Sequence, residues 1–389
     1  MRSTEHSSHS AHSLRPAWVE IDVDQWRRNW TLIRQDAGPT LAIVSVVKDD
    51  AYGHGMLAAA RLALEFGALM FAVPTLAEAI ALRDAGIAVP ILLLGPRHDR
   101  EAELCVGYGL TCTITEFADI KPLAEASTRL GRRLDVHIKV NTGMNRFGVR
   151  PENTSELALA VRSSPSLNLC GVFSHFSQSD ELDKTFAHQQ TDSFKLALDA
   201  IATRGPVPLL RHLCNSGGYL DLRAAHFDAV RLGILPLGVY PSQVCRRIPG
   251  IKPVMSVKAR IASLHDLHPG DRVGYGMHFT ATERCRIAIL PIGYGDGFPR
   301  VRNEGHVLIR GKRAPIIGGV SMDALFVNVS NISDVQRWDV ATLLGSDGDE
   351  QITAHDVARL KRSVSYDVLC SWRSRLPRVI SGEIDHALT

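Results

Sequence analysis

The stretch LAIVSVVKDDAYGHG, residues 41–55, decides the fold. An apolar, β-branched run at 41–47 reads as a buried strand, and Lys48 marks the point where that strand leaves the core. The segment Tyr52-Gly53-His54-Gly55 reads as a turn, and a helical pattern of apolar residues begins at Met56. The unit is therefore strand, loop, helix. It recurs outward along the chain, with strand-like runs at 69–73, 91–94, 110–114, 134–140, 169–173, 209–213 and near 229–232. Amphipathic stretches at 56–66, 76–85, 116–130, 156–163 and 184–204 lie between them. Eight such runs predict a closed (β/α)8 TIM barrel in preference to an open doubly wound sheet, although periodicity alone does not separate the two.

A barrel gives Lys48 a meaning. The C-terminal ends of barrel strands carry the reacting groups of barrel enzymes. An amine held there away from water has a lowered pKa and can attack an aldehyde or remove a proton. The competing reading is an ordinary loop lysine.

Past residue 240 the texture changes. Pro241, Pro249, Gly250 and Pro253 punctuate a linker. Beyond it, short runs at 254–264, 285–292, 306–309, 325–329 and 340–344 are separated by Gly, Pro, Asp and Asn, with one helix near 353–361. The expected organisation is a tail at 1–16, a barrel at 17–245 and a mostly-β C-terminal domain at 246–389, an α/β chain overall. The tail, MRSTEHSSHSAHSLRP, has no apolar core of a signal peptide and reads as disordered. Its His6, His9 and His12 could hold a metal weakly, but a polar tail that binds nothing is the preferred reading and no metal site is expected.

With 389 residues, 45% hydrophobic and 22% charged, the chain has ample apolar surface for two domains. The 44 basic and 41 acidic residues are interspersed, which argues against nucleic acid or an anionic membrane as partner. Seven scattered cysteines without a C-x-x-C pair suit free thiols and a cytoplasmic location. No run approaches the ~18 apolar residues of a spanning helix.

The stretch KDDAYGHG resembles the cofactor-lysine signature of the alanine racemase family, usually Lys-Ala-Asn/Asp-Ala-Tyr-Gly-His-Gly. Asp49 departs from it, standing where alanine is usual. The resemblance runs from about Trp18 to about Val379 in the family's order. It implies that Lys48 carries pyridoxal 5'-phosphate covalently and that Tyr52 takes its phosphate. VHIKVNTGMNRFG (136–148) is similar to the segment with a lysine that is often carbamylated, here Lys139, and an arginine beside cofactor and substrate carboxylate, here Arg146. VFSHFSQSD (172–180) places His175 by the cofactor ring. HLCNSGG (212–218) gives Ser216 to the phosphate. VRLGI (230–234) gives Arg231 to the pyridine nitrogen and the amides of Gly233 and Ile234 to the phosphate; glycine lets main-chain N–H groups approach an anion closely. LPLG, which follows, lacks a tyrosine often found at Leu237.

Further on, DRVGYGMHF (271–279) is similar to the segment with a catalytic tyrosine, here Tyr275, which in the family reaches the other subunit's site in a head-to-tail homodimer. PIGYGDGFPR (291–300) and GGVSMDALFV (318–327) imply that Tyr294 shapes the entrance and that Met322 offers its N–H to the substrate carboxylate. SYDVLCSWRSRLPRV (365–379) gives Tyr366 to the phosphate. Racemisation needs proton removal on one face of the α-carbon and delivery on the other, hence two bases. By the resemblance these are Lys48 for the D-enantiomer and Tyr275 for the L-enantiomer. The expected enzyme is an isomerase interconverting L- and D-alanine and supplying D-alanine. Alternatives are a racemase of another small amino acid such as serine, a barrel-type decarboxylase or aldolase, and a cofactor-carrying protein without turnover. An arginine in VRLGI and the Tyr275 segment argue against the decarboxylase or aldolase; the length beyond the linker argues against the last.

Overall fold

In a computed structural model that describes residues 15–208 and 210–382, the repeating unit closes on itself. After a first strand β1 (Ala17–Asp22), eight parallel strands form a closed barrel in chain order: β2 (Ala42–Val46), β3 (Met70–Val73), β4 (Ile91–Leu93), β5 (Thr111–Ile114), β6 (Leu134–Lys139), β7 (Leu167–Phe173), β8 (Leu210–His212) and β9 (Ala229–Leu232). The seam joins β2 to β9, with Val44 opposite Arg231. Every residue of β3, β4, β5 and β9 is buried, as expected of strands covered on both faces. Val44, Met70, Ala72, Leu92, Phe173 and Ala229 pack into one cluster, and each large member contributes about 1.5–3 kcal/mol by leaving water. The His6, His9 and His12 spacing and Leu209 lie outside the described residues.

Local chemistry starts the helices where the strands end. Thr75 and Glu78 form a capping box for Leu76–Asp84, a device worth ~1 kcal/mol. The helix Ile120–Leu130 stops at Gly131, whose φ of 61° a side chain would resist.

The described residues form two compact units, one of 27–51 with 55–251, the other of 15–26, 52–54 and 252–382. The first strand belongs to the second unit. β1 alternates buried and half-buried residues, as a strand with one covered face does. It pairs antiparallel with β10 (Met255–Arg260) and parallel with Arg378–Ser381. Residues 17–22, given to the barrel by sequence reading, thus form a strand of this other sheet.

That sheet has ten strands. Along its main path they run Ser263–Leu267, Cys285–Leu290, Leu325–Asn328, Lys312–Ile317, His306–Ile309, Val340–Asp347, β10, β1, Arg378–Ser381, with Glu350–Ile352 paired to Val340–Asp347. The single run expected at 254–264 divides because the chain changes partner: Ile261 N–H donates to Asp339 O, Ala262 N–H to Ile289 O. Lys312–Ile317 is absent from the sequence reading because Pro315 interrupts it. It nonetheless forms a hairpin with His306–Ile309, closed by Arg310 and Gly311, both at positive φ as a two-residue turn requires.

Candidate active site

Lys48 stands two residues after the end of β2, past the buried Val47, and is half-buried. The backbone after it is unusual. Asp49, Asp50, Ala51 and Tyr52 have φ between 52° and 54°, a left-handed helical turn that continues into Gly53 at 77°. L-residues resist this by roughly 1–2 kcal/mol each, least so for Asp. The surroundings hold it in place. Ala51 N–H donates to Val47 O and Gly55 N–H to Asp50 O; the Asp50 carboxylate accepts from Met56 N–H. Asp49 N–H donates to Glu78 Oε1 at 2.6 Å, while Glu78 Oε2 accepts from Thr75. His54 Nδ1–H donates to Tyr52 O at 2.9 Å. Gly53 is obligatory on space as well as φ, since a Cβ there would lie 2.6 Å from Leu369 O. Tyr52 is buried, and its ring centroid is 6.0 Å from that of Tyr366, at the start of the helix Ser365–Ser371.

At the ends of β6 to β9 the barrel gathers cations without acids. Lys139, the last residue of β6, is buried, and burial lowers its pKa to about 7, helped by Arg146, Arg231 and Lys48 nearby. The loop after β6 returns onto the strand end: Asn141 N–H donates to Val149 O and Val149 N–H to Lys139 O. Gly148 sits where a Cβ would meet Lys139 O at 2.8 Å. That return brings Arg146, itself exposed, beside Lys139. Lys139 Nζ also lies 5.4 Å from the Phe173 ring centroid. Lys139, Arg146 and Arg231 make no ion pair with a carboxylate among the described residues.

Arg231 of β9 is 3% exposed, and burial lowers its pKa to about 10, so it stays cationic at neutral pH. Its Nη1 donates to His212 Nδ1 (2.9 Å) and His212 O (3.1 Å). Its Nη2 donates to Ser174 O (2.7 Å), His175 Nδ1 (2.9 Å) and Leu213 O (2.9 Å). Both terminal nitrogens are thus committed, and Nε–H is the donor left over among the described residues. His175 follows β7; burial and then Arg231 push its pKa well below the usual range, so its imidazole is neutral. Ser216 opens a short helix capped by Asn215, whose Oδ1 accepts from Gly218 N–H. Gly233 N–H lies 3.4 Å from Ser216 Oγ, and the buried Ile234 N–H meets no acceptor among the described residues. Sequence reading missed His212 and His137. The available signal was alternation: His137 stands two residues before Lys139 and shares its face of β6.

In the other unit, Tyr275 lies in a turn with Gly274, Gly276 and Met277 at φ of 71°, 76° and 51°. It is 82% exposed, and Met277 and Met322 are 59% and 52% exposed. Tyr294 and Met322 are brought together: Tyr294 N–H donates to Ser321 O and Gly295 N–H to Met322 O. Asp323, beside Met322, accepts from Arg375, which also pairs with the buried Asp296. Arg300 lies over the Tyr294 ring, 5.7 Å from its centroid.

Known proteins resemble this chain over nearly its whole length. The family "Alanine racemase, N-terminal domain" matches residues 21–241, and "Alanine racemase, C-terminal domain" matches residues 254–380. The chain is 36% identical over 372 residues to an alanine racemase of Halothermothrix orenii, covering 95% of this chain and 98% of that one. It is 38% identical over 357 residues to an alanine racemase of Syntrophobacter fumaroxidans, covering 91% and 95%. Among solved structures, alanine racemase of Bacillus anthracis with bound L-Ala-P superposes with a TM-score of 0.89 at 31% identity, covering 95% of this chain and 96% of that one. Alanine racemase from a D-cycloserine-producing Streptomyces lavendulae gives 0.89 at 31% identity, covering 96% and 98%.

Proposed function

We propose, from the premise that the chain belongs to the alanine racemase family, that Lys48 and Tyr275 are the two bases of its reaction, one for each face of the substrate's α-carbon. The chain is a pyridoxal phosphate-dependent alanine racemase, an isomerase. The observation that supports the site most is the acid-free cluster at the strand ends. Lys139, Arg146 and Arg231 stand together there beside Lys48, a charge pattern that asks for anions.

The residues fit the cofactor. An unengaged Ile234 amide, the Gly233 amide and Ser216 Oγ offer donors to a phosphate, and Tyr52 and Tyr366 are assigned to the same phosphate by the family pattern. Bound covalently to Lys48, the cofactor supplies an electron sink that acidifies the substrate's α-hydrogen. Arg231 offers its uncommitted Nε–H to the ring nitrogen. A guanidinium does not give up its proton at neutral pH, so that nitrogen stays unprotonated and the sink stays weak, which suits a reaction that only moves one proton. His175, neutral, stands beside the ring. By the family pattern, Arg146 and the Met322 N–H are assigned to the substrate carboxylate and Tyr294 to the entrance. Lys48 takes or returns the proton for the D-enantiomer, Tyr275 for the L-enantiomer.

A neutral amine is the form that adds to CO2, and the lowered pKa of Lys139 makes that form abundant near neutral pH. A carbamylated Lys139 accepts from Arg146 and orients it. The exposure of Tyr275, Met277 and Met322 supports a head-to-tail homodimer in which Tyr275 completes the partner's site. The free cysteines support a cytoplasmic setting, where the product is D-alanine for biosynthesis. No helix of the described residues is long and apolar enough to cross a membrane.

The test is a pair of variants. Lys48→Ala should lose the covalent cofactor and all racemisation. Tyr275→Phe should keep the cofactor's absorbance and lose racemisation by a factor of about 10²–10⁴, followed by circular dichroism of L-alanine. Unchanged turnover in Tyr275→Phe would remove the second base from the scheme.

A further inference from the structure

The hydrogen bonds around Arg231 do not end at His212. His212 Nε2 lies 3.0 Å from Nδ1 of His137, which comes from β6 and is fully buried. The direction of every bond in this chain is fixed by one fact, that a guanidinium donates and never accepts. His212 Nδ1 faces Arg231 Nη1 and must be the bare nitrogen. A neutral His212 then carries its proton on Nε2 and donates it to His137 Nδ1. That nitrogen must be bare in turn, so His137 carries its proton on Nε2. His137 Nε2 has no hydrogen-bond partner among the described residues, and the chain stops there.

The packing is built for this stop. The His137 ring lies against Gly171, where a Cβ would sit 2.4 Å from Nε2. The β6–β7 register shifts between Val136 and His137, so Cys170 of β7 is the extra residue and Gly171 comes to stand opposite His137. Phe173 stacks on His212 with centroids 4.9 Å apart and planes 3° from parallel, and meets His137 edge-on at 6.3 Å. The charged group that faces both histidines is Arg231; Lys139, Arg146 and Lys48 stand further out, around His175. Burial first and Arg231 second hold both histidines far below the usual imidazole range, His137 at about 3.

We propose that His137 and His212 are positioning residues for Arg231, a one-way chain of hydrogen bonds that fixes the tautomer of both rings and keeps the guanidinium plane turned so that Nε–H is its free donor. The proposal rests on the assignment of Arg231 to the cofactor's ring nitrogen. Its physical content is separate. An isolated imidazole has two neutral tautomers open to it, and His212 in the other one would set an N–H against an N–H of Arg231. His137 removes that choice because its Nδ1 accepts from Nε2–H of His212.

Histidine-selective 15N labelling of the cofactor-free protein reads the chain directly. His212 and His137 should both appear as Nε2–H tautomers, unchanged between about pH 5.5 and 8.5. A His212 protonated on Nδ1, or charged within that range, overturns the proposal. In His137→Leu the His212 signals should move toward a mixture of tautomers. With cofactor restored, kcat should fall roughly tenfold with little change in KM, as the loss of one buried bond behind a reacting group would give. His137→Asn, which keeps an acceptor near the place of Nδ1, should recover the His212 pattern and most of kcat, and it guards against a variant that merely folds poorly. A His137→Leu protein with wild-type tautomers and wild-type kcat overturns the proposal. The underlying assignment fails differently: if Arg231→Gln racemises like wild type, Arg231 does not serve the ring nitrogen, whatever tautomers the labelled histidines show.

Discussion

At the strand ends of the barrel, Arg231 is 3% exposed and commits both terminal nitrogens to five acceptors; at the turn from Gly274 to Met277, Tyr275 is 82% exposed and rests on a backbone with positive φ at Gly274, Gly276 and Met277. One site is fixed by side chains, the other by main chain. The difference separates a cluster whose geometry the chain supplies for itself from a residue that the fold presents outward. Arg231 should therefore carry stability as well as activity, and Tyr275 activity alone.

Breaking that contrast is the largest test. Arg231→Met would leave two carbonyl groups, those of Ser174 and Leu213, without a buried donor, at ~1–3 kcal/mol each if unrelieved, while His212 O keeps the Ser174 N–H. Its urea midpoint should fall by an amount that threatens folding, along with racemisation. Tyr275→Phe should lose comparable activity with an unchanged midpoint. Equal loss of stability in both variants would refute the contrast.

Subunit mixing sharpens it next. If Tyr275 completes the partner's site, a dimer of one Lys48→Ala chain and one Tyr275→Phe chain holds one intact site and one doubly broken site. Randomly reassembled equal mixtures should then regain about a quarter of wild-type turnover, since half of the dimers are mixed. Activity that stays at the level of the parents would show that each chain uses its own Tyr275.

Lys139 gives a smaller effect with a definite sign. Its folded pKa is about 7 against 10.5 for the free side chain. Below about pH 7 both states carry the proton and the burial cost is fully present. Between about 7 and 10.5 the unfolded chain binds the proton and the folded one does not, so stability rises with pH across that window. In CO2-free buffer, denaturant midpoints of the cofactor-free protein should climb across the window, and Lys139→Met should flatten the climb. Identical slopes would remove the charge cost assigned to Lys139.

The barrel was legible because parallel strands covered on both faces are short continuous apolar runs; the reading of 229–232 as the eighth strand matches β9 residue for residue. β1 was not read, since its partners lie more than two hundred residues away and nothing local announces them. Likewise Lys48 stood out as a charge closing an apolar run, whereas His137 and His212 lie inside such runs, where a histidine looks like filler. What marks them is a cross-strand distance, which a linear pattern does not contain. The left-handed turn was hidden for the opposite reason: Asp-Asp-Ala-Tyr has no glycine until Gly53, and only the bonds around it impose positive φ.

Asp49 carries the smallest effect. It departs from the family's usual alanine, and its φ is 52°. Aspartate tolerates that region better than alanine does, so the substitution in this chain relieves the turn rather than burdening it. Asp49→Ala should lower stability by only about 0.5 kcal/mol and leave the cofactor spectrum unchanged, because the bond that seats the residue comes from its backbone N–H to Glu78. Glu78→Ala removes that acceptor and the capping box together and should cost more, about 1–2 kcal/mol, with a weaker hold on Lys48. The double variant should cost close to the sum, since one change acts through φ and the other through a hydrogen bond. An Asp49→Ala loss equal to that of Glu78→Ala would mean that the Asp49 carboxylate acts on its own account, adding a third side chain to the Glu78 and Asp50 carboxylates that hold the turn.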